Sequence, residues 1–255
     1  MIVSINQPAY LPWLGYVHRI ATSDVHIVLD HVQFEKNSFV NRNKVRTSAG
    51  WCWLTVPVRT RGRFGDLAIN RVQIDVGTGW RRKHWETLRQ NYGRAPYFAR
   101  HAPCFQDLLA VEWTGLADLC ARATAHLLGA FGIGTPLVPS SALDVGGAKS
   151  ELVLNLCRAV GATTYLSGPY GRHYLDEAAF RDAGIEIVYH DYRHPTYPQA
   201  YDPFEPAMAA VDLLFNCGPE SMDILMRGQE TAPRPAATAL DRNVTSSTNR
   251  AGRSV

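Results

Sequence analysis

The 255-residue chain lacks the cysteine spacing of a disulfide scaffold or a zinc site. Its five cysteines are scattered and odd in number, whereas both kinds of framework need cysteines in close pairs. It also lacks a run of about eighteen apolar residues, and no charged segment followed by an apolar core opens the chain. From these absences we expect a cytoplasmic protein that is neither secreted nor bound to a membrane.

Charge of one sign is also scarce. The net charge is +3, and the basic residues are dispersed apart from an arginine run at residues 59–63. Nucleic-acid binding needs a denser basic surface, so we predict no nucleic-acid partner. We interpret the run as a solvated hairpin tip, with a site for a phosphate, a phosphopantetheine or a nucleotide as the alternative. No Gly-x-Ser-x-Gly elbow, Walker loop or dinucleotide fingerprint occurs, which argues against a hydrolase triad and the common nucleotide cradles.

The chain does have 46% apolar residues and an alternation of strand and helix patterns. Ile2 to Ile5 is a β-branched run, Leu14 to Ala21 has helical spacing, and Asp24 to Asp30 predicts a second strand. The same alternation returns later, with strands predicted at residues 136–139, 163–166 and 185–189. Because such alternation favours parallel strands, we predict an α/β fold, a mainly parallel sheet flanked by helices.

Three helices are predicted among the later strands. Ser150 is expected to cap a helix that runs to Val160, because serine hydroxyls satisfy free N–H groups at helix starts. Two further helices are expected, from Asp176 to Ala183 and from Met208 to Phe215.

Two segments interrupt the α/β pattern. Residues 32–75 predict an inserted β-hairpin, in which Leu54 and Val56 share one face while Pro57 indicates an edge strand. Residues 80–132 predict a helical middle segment, with helices at 80–92, 102–109 and 112–131. We therefore predict a single α/β domain over residues 1–228. Residues 229–255 have too few large apolar groups to offset ordering entropy and are predicted to be a disordered tail.

Polar side chains follow the first predicted strand. Asn6 and Gln7 come at its carboxyl end, where a core strand alone does not need amides. Pro8 and Pro12 then stiffen a segment that should hold Tyr10 and Trp13 in one orientation. The segment therefore indicates a pocket for a ligand, with a buried aromatic loop as the alternative.

A second polar group follows the second predicted strand. It consists of Asp30, Gln33, Asn41 and Arg42, which offer a carboxylate, two amides and a guanidinium. These groups suit the recognition of a polar ligand such as a sugar or an amino acid. The alternative is an ordered loop whose side chains satisfy backbone groups.

Two more groups follow later strands. Ser167 and Gly168, with Tyr174 nearby, form a strand-to-helix turn that could cradle an anion, although an ordinary turn is the alternative. Beyond the last strand, His190 or His194 could act as a general base, with Tyr197 and Gln199 as ligand contacts. Pro195 and Pro198 argue against a helix that would pair the histidines as metal ligands, so we predict no metal and no cofactor.

Several motifs in fixed order make the sequence resemble the WbqC-like protein family. They are Asn6-Gln7-Pro8-x-Tyr10-x-Pro12-Trp13-x-Gly15-Tyr16, Asp30-x-x-Gln33-Phe34, Asn41-Arg42-Asn43, Leu54-Thr55-Val56-Pro57-Val58, Tyr165-Leu166-Ser167-Gly168-Pro169, Tyr197-x-Gln199 and Asp212-Leu213-Leu214-Phe215-Asn216-x-Gly218. The resemblance implies a bacterial protein of O-antigen, glycan-modification or natural-product biosynthesis that acylates or aminoacylates an amine such as an amino sugar.

A weaker similarity is to the nucleotidylyltransferase-like α/β fold. That fold carries a His-x-Gly-His motif where this chain reads Trp13-Leu14-Gly15-Tyr16. Without either histidine, the groups that would stabilise a transferring phosphate are missing. The similarity therefore implies the fold, while the missing histidines argue against nucleotidyl transfer.

From these observations we expect an enzyme that transfers an acyl or aminoacyl group from a thioester or an adenylate to an amine. The expected partners are a small-molecule amine and an acyl carrier protein or CoA donor. In this hypothesis His190, His194 and Asp30 are catalytic, and Ser167 and Gly168 hold the donor. The other predicted substrate-binding residues are Asn6, Gln7, Tyr10, Trp13, Gln33, Asn41, Arg42, Tyr174, Tyr197 and Gln199. Two alternatives stay open: an ATP-dependent ligase or nucleotidyltransferase, and a non-catalytic protein that binds a sugar nucleotide or a carrier protein.

Overall fold

The computed structural model describes residues 1–63 and 65–228. Its strands are β1 (Ile2–Asn6), β2 (Val25–Val28), β3 (Arg42–Thr47), β4 (Gly50–Thr55), β5 (Val58–Arg59), β6 (Gln73–Ile74), β7 (Leu137–Pro139), β8 (Thr164–Ser167) and β9 (Glu186–Tyr189). Its α-helices are α1 (Leu14–Ala21), α2 (Trp80–Tyr92), α3 (Phe98–Ala110), α4 (Leu116–Phe131), α5 (Lys149–Ala159), α6 (Glu177–Asp182), α7 (Ala210–Cys217) and α8 (Ser221–Met226).

Five strands form one sheet in the order β7-β2-β1-β8-β9, and every pair in it is parallel. Helices lie on both faces of this sheet, so the predicted α/β fold is confirmed. The strand at the chain start, β1, lies in the centre, where it pairs with β2 on one side and β8 on the other.

The two faces of β1 pack against different helices because successive side chains of a strand point in opposite directions. Val3 and Ile5 belong to a core that includes residues of α5 and α6. Ser4 faces α1 instead, and its hydroxyl lies 2.7 Å from Nδ1 of His26 and 2.8 Å from the Ser23 hydroxyl. Val3 and Ile5 on one face and Ser4 on the other are therefore all buried.

The predicted hairpin is present as the antiparallel pair β3–β4. Leu54 and Val56 are buried against the main core, whereas Trp51 and Trp53 are exposed. This arrangement is the face assignment that the alternation predicted. The short strands β5 and β6 pair separately, and α2, α3 and α4 follow, so the whole insert lies between β2 and β7.

Several predicted boundaries were wrong. Helix α3 begins at Phe98 rather than Ala102, since Pro103 is accommodated inside the helix. Helix α5 begins at Lys149, so Ser150 lies in its first turn and is not the cap. The Ser150 hydroxyl instead accepts a hydrogen bond from the backbone N–H of Asp176. Asp176, predicted as the first residue of its helix, is the residue that caps α6, by accepting from the N–H of Ala179.

Within the described residues, none of the helices combines the length and the apolar character that crossing a membrane requires. All five cysteines are unpaired. The predicted tail, 229–255, lies outside the described residues.

Candidate functional site

The strand order reverses direction between β1 and β8, since the chain moves outward from β1 to β2 and β7, and then in the opposite sense from β8 to β9. Open parallel sheets bind their ligands in the crevice at such a switch point, outside the carboxyl ends of the strands. The residues at this edge are Asn6 and Gln7 at the end of β1, Ser167 and Gly168 at the end of β8, and His190 after β9. We call this set, with the side chains that contact it, the switch-point site.

The two amides at the end of β1 are half-buried. The Oδ1 atom of Asn6 is sealed from solvent and has no hydrogen-bond partner. Gln7 makes no side-chain hydrogen bond within the described part of the chain. Neither side chain therefore helps to hold the fold. The unpaired Asn6 oxygen is costly in a folded protein, and the Gln7 amide, which is not sealed from solvent, is the one that a ligand can reach.

Two buried histidines form a direct pair in the switch-point site. The Nδ1 atom of His18, on α1, lies 2.8 Å from Nε2 of His190. Burial, together with the smaller effect of the nearby Arg19 charge, lowers the pKa of His18 to about 4 and that of His190 to about 3. Both imidazoles are therefore neutral at pH 7, and one must donate its N–H to the other. The His190 ring also stacks on Tyr192, with centroids 5.8 Å apart.

Arg19 places a cation in the same region. Its side chain is 7% exposed, and its guanidinium packs against the backbone of Gly168. Its neighbours on the sheet side and in the loop include the phenol groups of Tyr165 and Tyr174. Gly168 has a φ of −67°, so glycine is not required there by backbone conformation. It is required by space, because a methyl group on residue 168 would lie 2.7 Å from Nη1 of Arg19.

Trp13 closes one side of the site. Its indole lies directly over Gly15, and its ring centroid is 5.8 Å from that of Tyr192. Any side chain at residue 15 would overlap the indole, which explains the spacing of Trp13 and Gly15 in the sequence. The Pro12 carbonyl accepts a hydrogen bond from the backbone N–H of Ala210, which fixes this segment against α7.

Gly15→Ala is therefore expected to displace the Trp13 indole and to lower the free energy of unfolding by about 1–3 kcal/mol, as overpacking does. Urea denaturation measures the change. The matched control is Gly129→Ala, a helical glycine with no atom within 4 Å of the added methyl group. That change should leave the stability equal or raise it by about 0.5–1 kcal/mol. Equal stability of Gly15→Ala and the natural protein would contradict the packing described here.

His194, Tyr197 and Gln199 belong to a second cluster, around Asp212. Asp212 is fully buried on α7, and its carboxylate accepts hydrogen bonds from the hydroxyls of Tyr92 and Tyr197 and from Nε2 of Gln199, each at 2.8 Å. Gln199 also bonds the backbone of Glu205 in both directions. The His194 ring contacts Tyr197 and Tyr192, so this cluster adjoins the switch-point site through aromatic rings.

Asp30 lies at the same edge of the sheet, one strand further out, but its carboxylate is already used. Oδ1 accepts from the Ser140 hydroxyl and the Ser141 backbone N–H, and Oδ2 accepts from the Ser141 hydroxyl, at 2.7–2.9 Å. Nδ1 of His31 lies 2.6 Å from the same Ser140 hydroxyl. These bonds tie the end of β2 to the turn after β7, so the geometry shows Asp30 holding two strand ends together.

The other predicted substrate contacts lie away from the switch point. The Tyr10 hydroxyl lies in the core, 2.9 Å from Nδ1 of His84. The Gln33 amide bonds the backbone of Phe34 and Leu67, and Asn41 donates to the Val56 carbonyl. Arg42 lies over the Trp53 ring and donates to the Asn37 carbonyl. Gln33, Asn41 and Arg42 thus bond backbone groups of the insert, which is the alternative that the sequence left open for them. Tyr10 lies in a buried aromatic segment, which is the alternative for its own segment.

The structure thus gathers Asn6, Gln7, Trp13, Ser167, Gly168, Tyr174 and His190 at one edge, and adds three residues that the sequence analysis missed. They are His18, Arg19 and Tyr192. The sequence offered one signal for His18 and Arg19. Both lie in α1, which is buried along almost its whole length, and buried charged or titratable side chains are rare unless they are paired or functional.

The described residues do not support metal binding or thiolate chemistry. Within residues 1–63 and 65–228, no group of three or more His, Cys, Asp or Glu side chains is arranged to hold a metal ion. Burial raises the pKa of the thiols of Cys52, Cys120, Cys157 and Cys217, so each is protonated at pH 7.

Comparison with known proteins identifies the family. The chain is 39% identical over 225 residues to an uncharacterized protein of Mycobacterium tuberculosis (strain ATCC 25618 / H37Rv), Rv1507c, and the match covers 88% of this chain and 96% of that protein. No solved structure matches the chain. The sequence profile of the WbqC-like protein family matches residues 7–224, which include the residues of the switch-point site other than Asn6. The chain therefore belongs to the WbqC-like protein family.

Proposed function

We propose that the protein transfers an acyl or aminoacyl group from an activated donor, a thioester or an adenylate, to an amine. The observation that carries the proposal is the pair of neutral imidazoles, His18 and His190, at the same edge of the sheet as the amides of Asn6 and Gln7, which make no side-chain hydrogen bond within the described residues. The family resemblance supports the same reaction class. The cytoplasmic location and the biosynthetic setting are part of this proposal.

The reaction requires little of the protein beyond placement and proton transfer. The amine nitrogen attacks the carbonyl carbon, the bond from that carbon to the thiolate or phosphate breaks, and the leaving group departs with the electron pair. The amine proton passes to a neutral imidazole and then to the leaving group. No covalent protein intermediate is needed, so positioned amides and a base account for the site.

His190 is a weak base in the unliganded protein because burial, Arg19 and His18 all disfavour its charged form. An anionic donor close to Arg19 would offset one of these three effects and raise the pKa of His190 toward the working range. In this proposal the base becomes effective only when the donor is bound, which would limit idle hydrolysis.

A second candidate function is direct use of ATP by a ligase or nucleotidyltransferase. The strand order favours it, because sheets with this reversal often bind nucleotides at the switch point. The two functions differ in their products: a ligase releases pyrophosphate or phosphate from ATP in the presence of the amine, whereas the transferase requires a donor activated beforehand.

The test is mass spectrometry of reactions that contain the protein, a panel of amino sugars and other primary amines, and either acyl-CoA, an acyl-loaded carrier protein or a synthetic acyl adenylate. The proposal expects a new amide with at least one donor and no product with ATP and free acid alone. Product only with ATP would support the ligase. A protein that binds these compounds but forms no product with any donor would be a binding protein.

Gln7→Ala tests the site directly. Because the Gln7 side chain holds no other part of the described chain, we expect the melting temperature to stay within about 1 °C while kcat/KM falls by about tenfold to a hundredfold. The matched control is Gln90→Ala on the exposed surface of α2, which should change neither. If Gln7→Ala lowers the melting temperature and activity together, Gln7 is a structural residue.

A further inference from the structure

The guanidinium of Arg19 has no partner that accounts for its burial. Its Nε atom is sealed from solvent and makes no hydrogen bond, although the residue is more than nine-tenths buried. The ion pairs of the described residues lie elsewhere, at Arg59–Asp75, Arg81–Glu112 and Arg89–Glu86. A buried charge without a counter-charge costs several kcal/mol, so Arg19 is expensive for a residue with only a structural role.

The groups that face Arg19 carry no negative charge at neutral pH. Tyr16 on α1, Tyr165 on β8 and Tyr174 in the following loop interact with it electrostatically. Burial raises the pKa of all three phenols, so they stay protonated. The histidines that interact with it, His18, His26 and His190, are neutral because burial lowers the pKa of each imidazole. The local charge is therefore +1.

The position of the guanidinium suits an incoming ligand. Its terminal nitrogens lie against Gly168, at the end of β8 and next to the switch point. Only Nε is both sealed from solvent and unpaired, so the terminal nitrogens are the part of the group that a ligand can reach. The glycine at residue 168 lets the guanidinium lie directly against the backbone at this strand end.

We infer that Arg19 and Gly168 form a binding site for a phosphate group at the switch point, beside the His18–His190 pair. Phosphate oxygens match the planar fork of a guanidinium and would supply the missing negative charge. The inference deepens the proposed function and rests on it for the identity of the ligand, because an acyl adenylate and a phosphopantetheine thioester both contain phosphate. It names the phosphate as the part of the donor that Arg19 holds.

The test is binding of pyrophosphate, AMP and CoA to the full-length protein at low salt, measured by calorimetry. The inference expects binding of pyrophosphate and of at least one of the other two; AMP alone would indicate an adenylate donor and CoA alone a thioester. Arg19→Met should weaken each observed interaction by about thirtyfold or more. Gly168→Ala, which keeps the charge but displaces the guanidinium, should weaken it by about tenfold. Arg100→Met, an exposed arginine on α3, is the matched control and should bind like the natural protein.

A second measurement separates a ligand site from a structural role. If Arg19 has no counter-charge until an anion binds, Arg19→Met removes an unpaired buried charge. The melting temperature of the unliganded protein should then rise or stay equal. A melting temperature lowered by several degrees, or pyrophosphate affinity equal to that of the natural protein, would overturn the inference. Succinate binding as tightly as pyrophosphate would overturn the assignment to phosphate.

The inference and the proposed function can fail separately. Phosphate binding that depends on Arg19, without amide formation from any donor, would leave the phosphate site in place and remove the transferase. Amide formation that Arg19→Met leaves unchanged would keep the transferase and remove the phosphate site.

Discussion

Lowering the pH from 7 to between about 5 and 4 is expected to unfold this protein cooperatively. The reason is a set of four buried histidines whose charged forms the fold does not tolerate. Burial lowers the pKa of His18 and His84 to about 4 and that of His26 and His190 to about 3. All four are at most 5% exposed.

The free energy of unfolding falls at low pH because the unfolded chain binds more protons than the folded protein. Above the unfolded-state pKa of about 6.5, both states hold these histidines neutral and the stability is fully present. Below that pKa the histidines become protonated in the unfolded chain and stay neutral in the folded protein. Stability therefore falls as the pH falls, until the pH reaches the folded-state pKa values of about 3 to 4. At pH 5 each histidine costs about 2 kcal/mol, and the four together about 8 kcal/mol, which is comparable with the whole stability of a typical domain.

Urea denaturation at pH 7, 6 and 5 measures this dependence, and His26→Gln is the informative variant. Its stability at pH 7 is expected to be lower, because His26 bonds the Ser4 hydroxyl, but its loss of stability between pH 7 and 5 should be smaller by about 2 kcal/mol. His173→Gln, at an exposed position, is the control and should leave the pH dependence unchanged. A free energy of unfolding that stays constant from pH 7 to pH 5 would contradict the assignment of neutral buried histidines.

Asp212→Ala is expected to lower the free energy of unfolding by about 4 kcal/mol, enough to leave a marginally stable protein. The carboxylate is fully buried and accepts from three donors, and its loss would strand two tyrosine hydroxyls and one amide without acceptors. Burial raises the pKa of Asp212, although these donors and Arg46 act in the opposite direction. The cluster also joins α2 to α7, because Tyr92 on α2 donates a hydrogen bond to Asp212 on α7. Tyr92 in addition accepts a hydrogen bond from the backbone N–H of Arg46, which links the cluster to β3.

Thermal and urea unfolding measure this loss. Tyr92→Phe removes one of the three donors and should cost about 1–2 kcal/mol, so the two variants form a graded series. Asp223→Ala on the exposed side of α8 is the control, expected within about 0.5 kcal/mol of the natural protein. If Asp212→Ala cost less than about 1 kcal/mol, the three donors would have found other partners and the cluster would not hold the two helices together.

The fold was largely predictable because its signals are local. β-branched runs and helical spacing placed all five strands of the sheet and most helices, since each element has a one-sided or buried apolar pattern that the sequence displays directly. Helix ends were less predictable. Ser150 has the chemistry of a cap but bonds Asp176 instead, a contact over 26 residues that no local pattern shows.

The site was predicted only in part, for a related reason. Strand ends can be recognised from sequence, so Asn6, Gln7, Ser167, Gly168 and His190 were found. Whether a polar side chain serves a ligand or another part of the chain depends on distant partners, and Gln199 and Asp30 turned out to be engaged with Asp212 and with Ser140. Arg19 could not be predicted for the same reason, because its importance comes from the lack of a counter-charge among residues that are distant in the sequence.

The position of the insert has a consequence for how the protein acquires its structure. β2 and β7 are hydrogen-bonded neighbours, yet roughly a hundred residues separate them along the chain. Closing so long a loop is slow, so we expect the β1–β2 pair to gain protection from hydrogen exchange early in refolding, whereas β7 and β8, whose pairings with β2 and β1 close long loops, join later. The hydrogen bonds that Ser140 and Ser141 donate to Asp30 would then hold β7 against β2 once β7 has joined the sheet.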